Sequence, residues 1–337
     1  MSKLNIKIKE TQKVTRKDVL FCLSLHPGSE LVTVGSSDAG LYAIDLAAEK
    51  PEALKYEGDG HSSYVTGLAR AGDKLISSAY DRQLIWWDTD TRKLVKKIKA
   101  HDKWIRNVVA SPDESLVASV GDDMVCRLWK AETGDLVHEL RGHEIQTPNH
   151  YPSMLFTCAF SPDGKQLATA DKVGHIVVWD VASGAQIKTM EAPTMYTWDS
   201  ARRLHSIGGI RAITFSPDGQ HLVAGGIGKI GNIDHLGGPA RIRIFDWEKA
   251  ETLAEIESSE IKGMVERLTY HPDGSYMLAL GGDHKGFALV VDSKEKKIIS
   301  EEKTPANHVH DFAMNEASDK IYVAGHNHVT VHDLISG

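Results

Sequence analysis

Four groups of residues in this chain have the types and spacing to do chemistry. His61, Ser77 and Asp81, and again His101, Ser119 and Asp123, put imidazole, hydroxyl and carboxylate at matched intervals, each set followed by a tryptophan, Trp87 or Trp129. Those three types can activate a serine as a nucleophile, so they invite a hydrolase reading. Gly226, Gly228 and Gly231 in GIGKIG match the dinucleotide fingerprint G-x-G-x-x-G. That fingerprint needs a helix N-terminus for the phosphates, and NIDHLGGPA leads straight into another strand-like run, so a loop between two strands is expected instead. His308, His310, His326 and His328 alternate in pairs, as two residues on one side of a strand would, and could gather imidazoles for zinc, copper or nickel. They also read as ordinary surface residues or structural remnants, because His326 stands where other segments place a turn aspartate; no metal and no cofactor is expected. The fourth group is rich in residues that dominate binding: Trp104, Arg106, Tyr151, Tyr196, Trp198, Arg202, Arg203, Arg211 and His310.

Composition narrows the classes. The 337 residues are 41% hydrophobic and 25% charged, enough apolar material for a sizeable core. A net charge of -7 gives no basic field for phosphate neutralisation, so nucleic acid is a poor main ligand. Cys22, Cys126 and Cys158 are far apart and set in apolar runs, which fits reduced core thiols. The N-terminus lacks a signal-peptide pattern, and no run approaches the ~20 apolar residues of a membrane helix. A cytoplasmic address and no membrane partner are the expectation.

The elements that must position these residues are set by a repeat. FSPDG begins at Phe160 and at Phe215, with SPDE at Ser111, YHPDG at Tyr270 and LHPGS at Leu25 as variants. Each is followed, some 18 residues after the proline where no insertion intervenes, by an ending such as Trp129-Lys130 or Trp179-Asp180; Phe245-Asp246 follows an insertion, and Trp87-Asp88 ends a unit without the proline. Ile44-Asp45, Val291-Asp292 and His332-Asp333 complete seven units, two of which lack the proline phrase. Within a unit, four short β-branched and apolar runs are separated by Pro, Asp and Gly, which predicts four strands. A sheet of that size cannot bury both faces alone, so units must stack in a ring. The last unit holds only three strands before Gly337. Leu4, Ile6 and Ile8 alternate with polar residues and predict the missing fourth, so the chain ends should meet in one sheet.

Trp-Asp endings, Gly-His pairs and the two His, Ser, Asp, Trp sets resemble the WD-repeat family over essentially the whole chain. The resemblance implies an all-β, seven-bladed β-propeller with four-stranded blades, a single domain over 1-337. It also implies that His61, Ser77, Asp81 and Trp87, and His101, Ser119, Asp123 and Trp129, are structural tetrads with no reaction. The fourth unit keeps His143, Thr169 and Trp179 but has Val173 where the turn aspartate belongs, so its tetrad is expected to be incomplete.

In a four-stranded meander, loops entering the first strand and joining the second to the third open on one face. By that parity the insertions EIQTPNHYPS from Glu144, EAPTMYTWDSARRLHSIGG from Glu191 and IGKIGNIDHLGG from Ile227 share a face. Long loops on a rigid scaffold usually carry binding. The expected function is a non-catalytic, monomeric interaction scaffold that holds a protein or peptide there. The alternative is a small-molecule, metal-binding or enzymatic propeller that uses the central channel. Arg106 and Arg211 stand six residues before the proline of their units, where others place Phe21, Phe156, Glu266 and His310, and these should ring the channel mouth.

Overall fold

The computed structural model describes residues 4–200, 205–231, 234–283, 285–304 and 308–336. Its secondary structure is almost wholly strand, with one short 3-10 turn at Pro193–Met195. Four-stranded antiparallel sheets cover residues 65–99, 105–140, 155–191, 212–262 and 264–304, each with its strands in chain order. The sixth sheet has six strands and joins the two ends of the chain.

That joining corrects the expected seven separate blades: the structure forms six blade sheets. The strand Ile6–Leu25 is continuous, pairing Ile6–Val19 with Ser336–His326 and Leu20–Leu25 with Ser36–Val32. It serves the last repeat with one half and the first with the other, so these two units share a sheet. Register shifts at Glu10/Gln12 and Thr15/Val19 bend it between its two tasks. On the last repeat's side, Lys320–Ser336 turns back through Asn327, whose φ is 66°, and Leu334 N–H donates to the Asp319 carbonyl.

The first strands of the seven units line the axis, and each touches the next in a closed cycle that includes Ile6–Leu25 and Val309–Met314. Second and third strands have both faces covered by neighbouring sheets, so they read as continuous apolar runs rather than alternations. Leu84–Trp87 and Ala288–Val291 are fully buried, whereas Val95 on an outer strand is 51% exposed. The core accordingly lies between sheets. One cluster packs Ala212, Val223 and Ile242 against Val265, Met277 and Leu289, another packs Val120, Cys126 and Leu128 against Leu155, Leu167 and Val177, and within the shared sheet Leu20 and Val32 of the first repeat pack with Tyr322, Val329 and Val331 of the last. Cys22, Cys126 and Cys158 are free thiols within these layers.

Candidate binding face and channel mouth

The His, Ser and Asp groups are sealed. In the second unit Trp87 Nε1 donates to Ser77 Oγ at 2.8 Å, His61 Nε2 lies 2.7 Å from the same oxygen, and His61 Nδ1 lies 3.0 Å from Asp81. If Nδ1–H donates to the carboxylate, Ser77 must donate to Nε2 and accept from the indole, which fixes every proton in the set. The third unit repeats the arrangement, with Ser119 at 2.7 Å from His101 and 2.9 Å from Trp129. Ser77 and Ser119 are wholly buried, so no substrate reaches their oxygens.

The fourth unit corrects the sequence reading. Its tetrad is complete, because Asp171 takes the role that Val173 cannot fill. His143 Nδ1 lies 2.9 Å from Asp171, His143 Nε2 lies 2.8 Å from Thr169, and Trp179 Nε1 donates to Thr169 at 2.9 Å. Asp171 is the last residue of its strand, two positions before the turn site, and its other oxygen accepts N–H bonds from Val173 and His175. Spacing alone misses a carboxylate that reaches the same imidazole from the strand end. Asp171→Ala is therefore expected to cost about 1–3 kcal/mol by orphaning His143, while Val173→Ala costs less. Urea denaturation of the two variants checks this.

The residues proposed to ring the channel converge. Phe21, Thr66, Arg106, Phe156, Arg211, Glu266 and His310, one from each unit, line a cavity of about 230 Å³ with Tyr80, Arg267 and His308. Arg106 grips Asp122 with two bonds of 2.7 Å and donates to Tyr80 Oη at 2.7 Å. Arg211 lies flat on Phe156, its guanidinium carbon 3.4 Å from the ring centre. Its Nε is buried and makes no hydrogen bond, and the same holds for His310 Nε2. Arg106, Arg211 and His310 were expected as contacts ringing the channel mouth; they sit part-buried inside it, where their positions on the inner strands place them.

A second ring went unread in the sequence. Tyr80, Asp122 and Lys172 each stand three residues beyond the second-strand position occupied by Ser77, Ser119 and Thr169, and so occupy the second-to-third turns of three successive units; His326 holds the same offset from Val323 in the last unit. That constant offset was the available signal. Lys172 is 7% exposed and forms no ion pair or hydrogen bond through its side chain among the described residues. Burial, and then the charges of Arg211 and Arg106, lower its pKa from the ordinary lysine value.

The histidines form a stack rather than a metal site. His308, His310 and His326 have ring centres 4.6 to 5.5 Å apart, His308 Nε2 lies 3.3 Å from Glu266, and His328 turns to the His326 carbonyl. Among the described residues no group of three or more His, Cys, Asp or Glu has an arrangement that could hold a metal ion. Burial and then the neighbouring His308 push His310 down to about 3, so it is neutral near pH 7. Burial opposes the charge on Glu266, but the bond from His308 and the field of Arg211 outweigh it and hold the carboxyl down at about 2.

From the mouth outward, rings meet in an arc across four units. His310 meets Phe21 at 4.9 Å, Phe21 meets Tyr64 at 5.4 Å, Tyr64 meets Tyr80 at 5.8 Å and Tyr80 meets Trp104 at 4.5 Å. Trp104 is 50% exposed and Tyr64 45%. The insertions touch one another: Tyr196 Oη donates to Asn149 at 2.8 Å, Tyr151 packs on Trp198 at 5.1 Å, and Ile230 N–H donates to Thr197. Tyr196–Asp199 pairs with His205–Gly208 in a hairpin that the sequence reading left as loop. Gly209, at φ +100°, closes it; a Cβ there would lie 2.7 Å from Lys172 Cα and 3.1 Å from the Phe156 ring. Arg202 and Arg203, also expected as contacts, lie outside the described residues.

No helix among the described residues is long and apolar enough to cross a membrane. Residues 53–88, 92–130, 134–180 and 201–229 match the family described as WD domain, G-beta repeat. The chain is similar to nuclear distribution protein PAC1 of Coccidioides posadasii, 30% identical over 48% of this chain and 34% of that protein. It is also similar to apoptotic protease-activating factor 1 of Rattus norvegicus, 30% identical over 45% of this chain and 11% of that protein. Autophagy-related protein 16 of Arabidopsis thaliana is 30% identical over 47% of this chain and 30% of its own length. The chain thus spans about a third or less of the length of these relatives. With matching repeats and blade sheets closed around one axis, the protein is a WD-repeat β-propeller.

Proposed function

We propose that this protein is a non-catalytic scaffold that binds a protein or peptide partner on the face carrying the inserted loops. WD40 propellers typically serve as protein-interaction scaffolds, which favours the class. The observation that carries the reading for this chain is the aromatic arc in which half-exposed Tyr64 and Trp104 flank part-buried Tyr80, continuous with the channel mouth. Stacked rings offer large contact area with little side-chain entropy left to lose, the usual make-up of a binding hot spot. Trp104, Tyr151, Tyr196 and Trp198 form the rim of this surface, with Arg106, Arg211 and His310 at its centre and Arg202 and Arg203 as further contacts.

The test is affinity capture followed by binding measurements with Trp104→Ala, Trp198→Ala and, in the first-to-second turn on the other face, Lys165→Ala. The rim variants should each lose about 2 kcal/mol of affinity, roughly thirtyfold, with melting temperatures near that of the parent protein. Equal affinity for all three variants would place the partner elsewhere and leave the loops as a plug over the channel.

A further inference from the structure

We propose that the channel mouth holds a single carboxylate, supplied by an acidic side chain of the protein partner. This rests on reading the inserted-loop face as the partner surface. Two cations, Arg211 in the cavity lining and Lys172 in the turn behind it, lack an ion pair among the described residues. Arg106 is committed to Asp122 and Tyr80, and Arg267 to Asp311 at 2.8 Å, but Arg211 and Lys172 have no such counter-ion among the described residues. Phe156 fixes the plane of the Arg211 guanidinium, leaving the donors at its edge free for a planar acceptor. Arg211 Nε and His310 Nε2 are both buried without a hydrogen-bond partner in the same cavity. Buried polar groups are normally satisfied, so two orphans in one small space, with the largely buried Lys172 side chain close by and no carboxylate within ion-pair distance of Arg211 among the described residues, describe a site that an anion would complete.

Size and charge select the anion. About 230 Å³ accommodates one side chain and no folded segment. The cost of removing water from an ion rises with the square of its charge, while its attraction to Arg211 and Lys172 rises only linearly. Glu266 lines the same space as an ionised group and opposes any added negative charge. A carboxylate is therefore favoured over a phosphate dianion, and the aromatic arc supplies the contact for the residues on either side of it.

The experiment needs no identified partner. Glutamate blocked at both ends (N-acetyl, N-methylamide) is titrated into the protein while the imidazole resonances of His310 are followed by NMR, with blocked glutamine and blocked phosphoserine in parallel. Blocked glutamate should shift His310 saturably with a Kd of about 1 mM, the scale expected for so small a ligand. Blocked glutamine should not. Arg211→Gln should weaken the glutamate probe by roughly tenfold, the value of one charge-assisted contact, and Lys172→Gln by about threefold through the loss of its nearby charge. Two variants are used so that a folding defect in one, seen as a lowered melting temperature, leaves the other to decide. An absent shift, an equal shift with blocked glutamine, or unchanged affinity in a folded variant overturns the proposal. Phosphoserine binding tenfold or more above glutamate overturns the carboxylate assignment. Because the probe bypasses the rim, a negative result here with partner loss in Trp104→Ala would leave the face reading intact, and the reverse result would separate them equally well.

Discussion

Removing residues 1–14 should leave a protein that aggregates on expression or melts about 5 °C or more below the full chain. The segment from Ile6 to Val14 pairs with Ser336–Val329 and closes the outer edge of the last repeat. Its inward residues are core: Ile6 is 3% exposed and packs with Leu278, Leu280, Val290 and Leu334, and Ile8 packs against the same cluster. Burying an aliphatic side chain fully contributes about 1.5–3 kcal/mol; Ile6 is fully buried, Ile8 and Val14 are part-buried, and a chain of this size shifts by about 1.4 °C per kcal/mol, so losing the three together accounts for a drop of several degrees. Aggregation follows from a second cause, since Val329, Val331 and Leu334 would then lie on an open strand with unpaired backbone groups. Ile6→Asp in the full-length chain separates the two, because it removes packing and keeps the edge covered by Lys7 and Lys9. A truncated protein that melts with the parent would show that the pairing of the two chain ends adds nothing to the ring.

The repeat made this closure legible because its signals are local. Pro-Asp-Gly or a variant of it marks five of the seven first-to-second connections, and the alternation of Leu4, Ile6 and Ile8 marks a half-buried strand wherever it pairs. The shared sheet was not legible, since nothing local in Arg16–Leu20 says that the chain stays extended from one repeat into the next. Whether a bend separates two sheets or only shifts register depends on packing from both neighbours. The ring of Arg106, Arg211, Glu266 and His310 was found by counting back from the prolines, which works because the hairpin length is constant. Burial of these side chains was not found, for a count gives a position on the inner strand and no depth in the channel. Lys172 and Asp171 were missed for related reasons. The turn after the second strand lacks a fixed motif, and a carboxylate two residues early can satisfy the same histidine.

That interchange also shows why equal spacing does not mean equal energetics, which the first two tetrads put to a direct test. Asp81→Ala and Asp123→Ala look equivalent in sequence, yet the second should be the more damaging by about 2 kcal/mol. Asp81 accepts bonds from His61, from Ser62 N–H and from Gln83 N–H, so its loss orphans neutral groups at about 1 kcal/mol. Asp123 serves His101 and Asp102 N–H in the same way, and in addition accepts from Arg127 Nη1 at 2.8 Å. Arg127 is only 6% exposed, and its remaining carboxylate, Glu139, is more exposed and shared with Arg141. Breaking a buried ion pair from one side costs about 3–5 kcal/mol, and the surviving Glu139 contact puts this case at the low end. The pH dependence carries the same signature. Burial works against the charge on Asp123, but the bonds from His101 and Arg127 outweigh it and hold the carboxyl well below the usual carboxylate range. A group lowered in the folded state contributes its stability fully above its unfolded pKa of about 3.9 and loses it as the pH falls toward the folded value. The gap between Asp123→Ala and the parent should therefore be constant from pH 7 to 5 and narrow below about pH 4. Urea denaturation midpoints of both variants at pH 7, 5 and 3.5 measure it. If Asp123→Ala is no worse than Asp81→Ala, Glu139 alone satisfies Arg127 and the buried pair contributes nothing beyond its geometry.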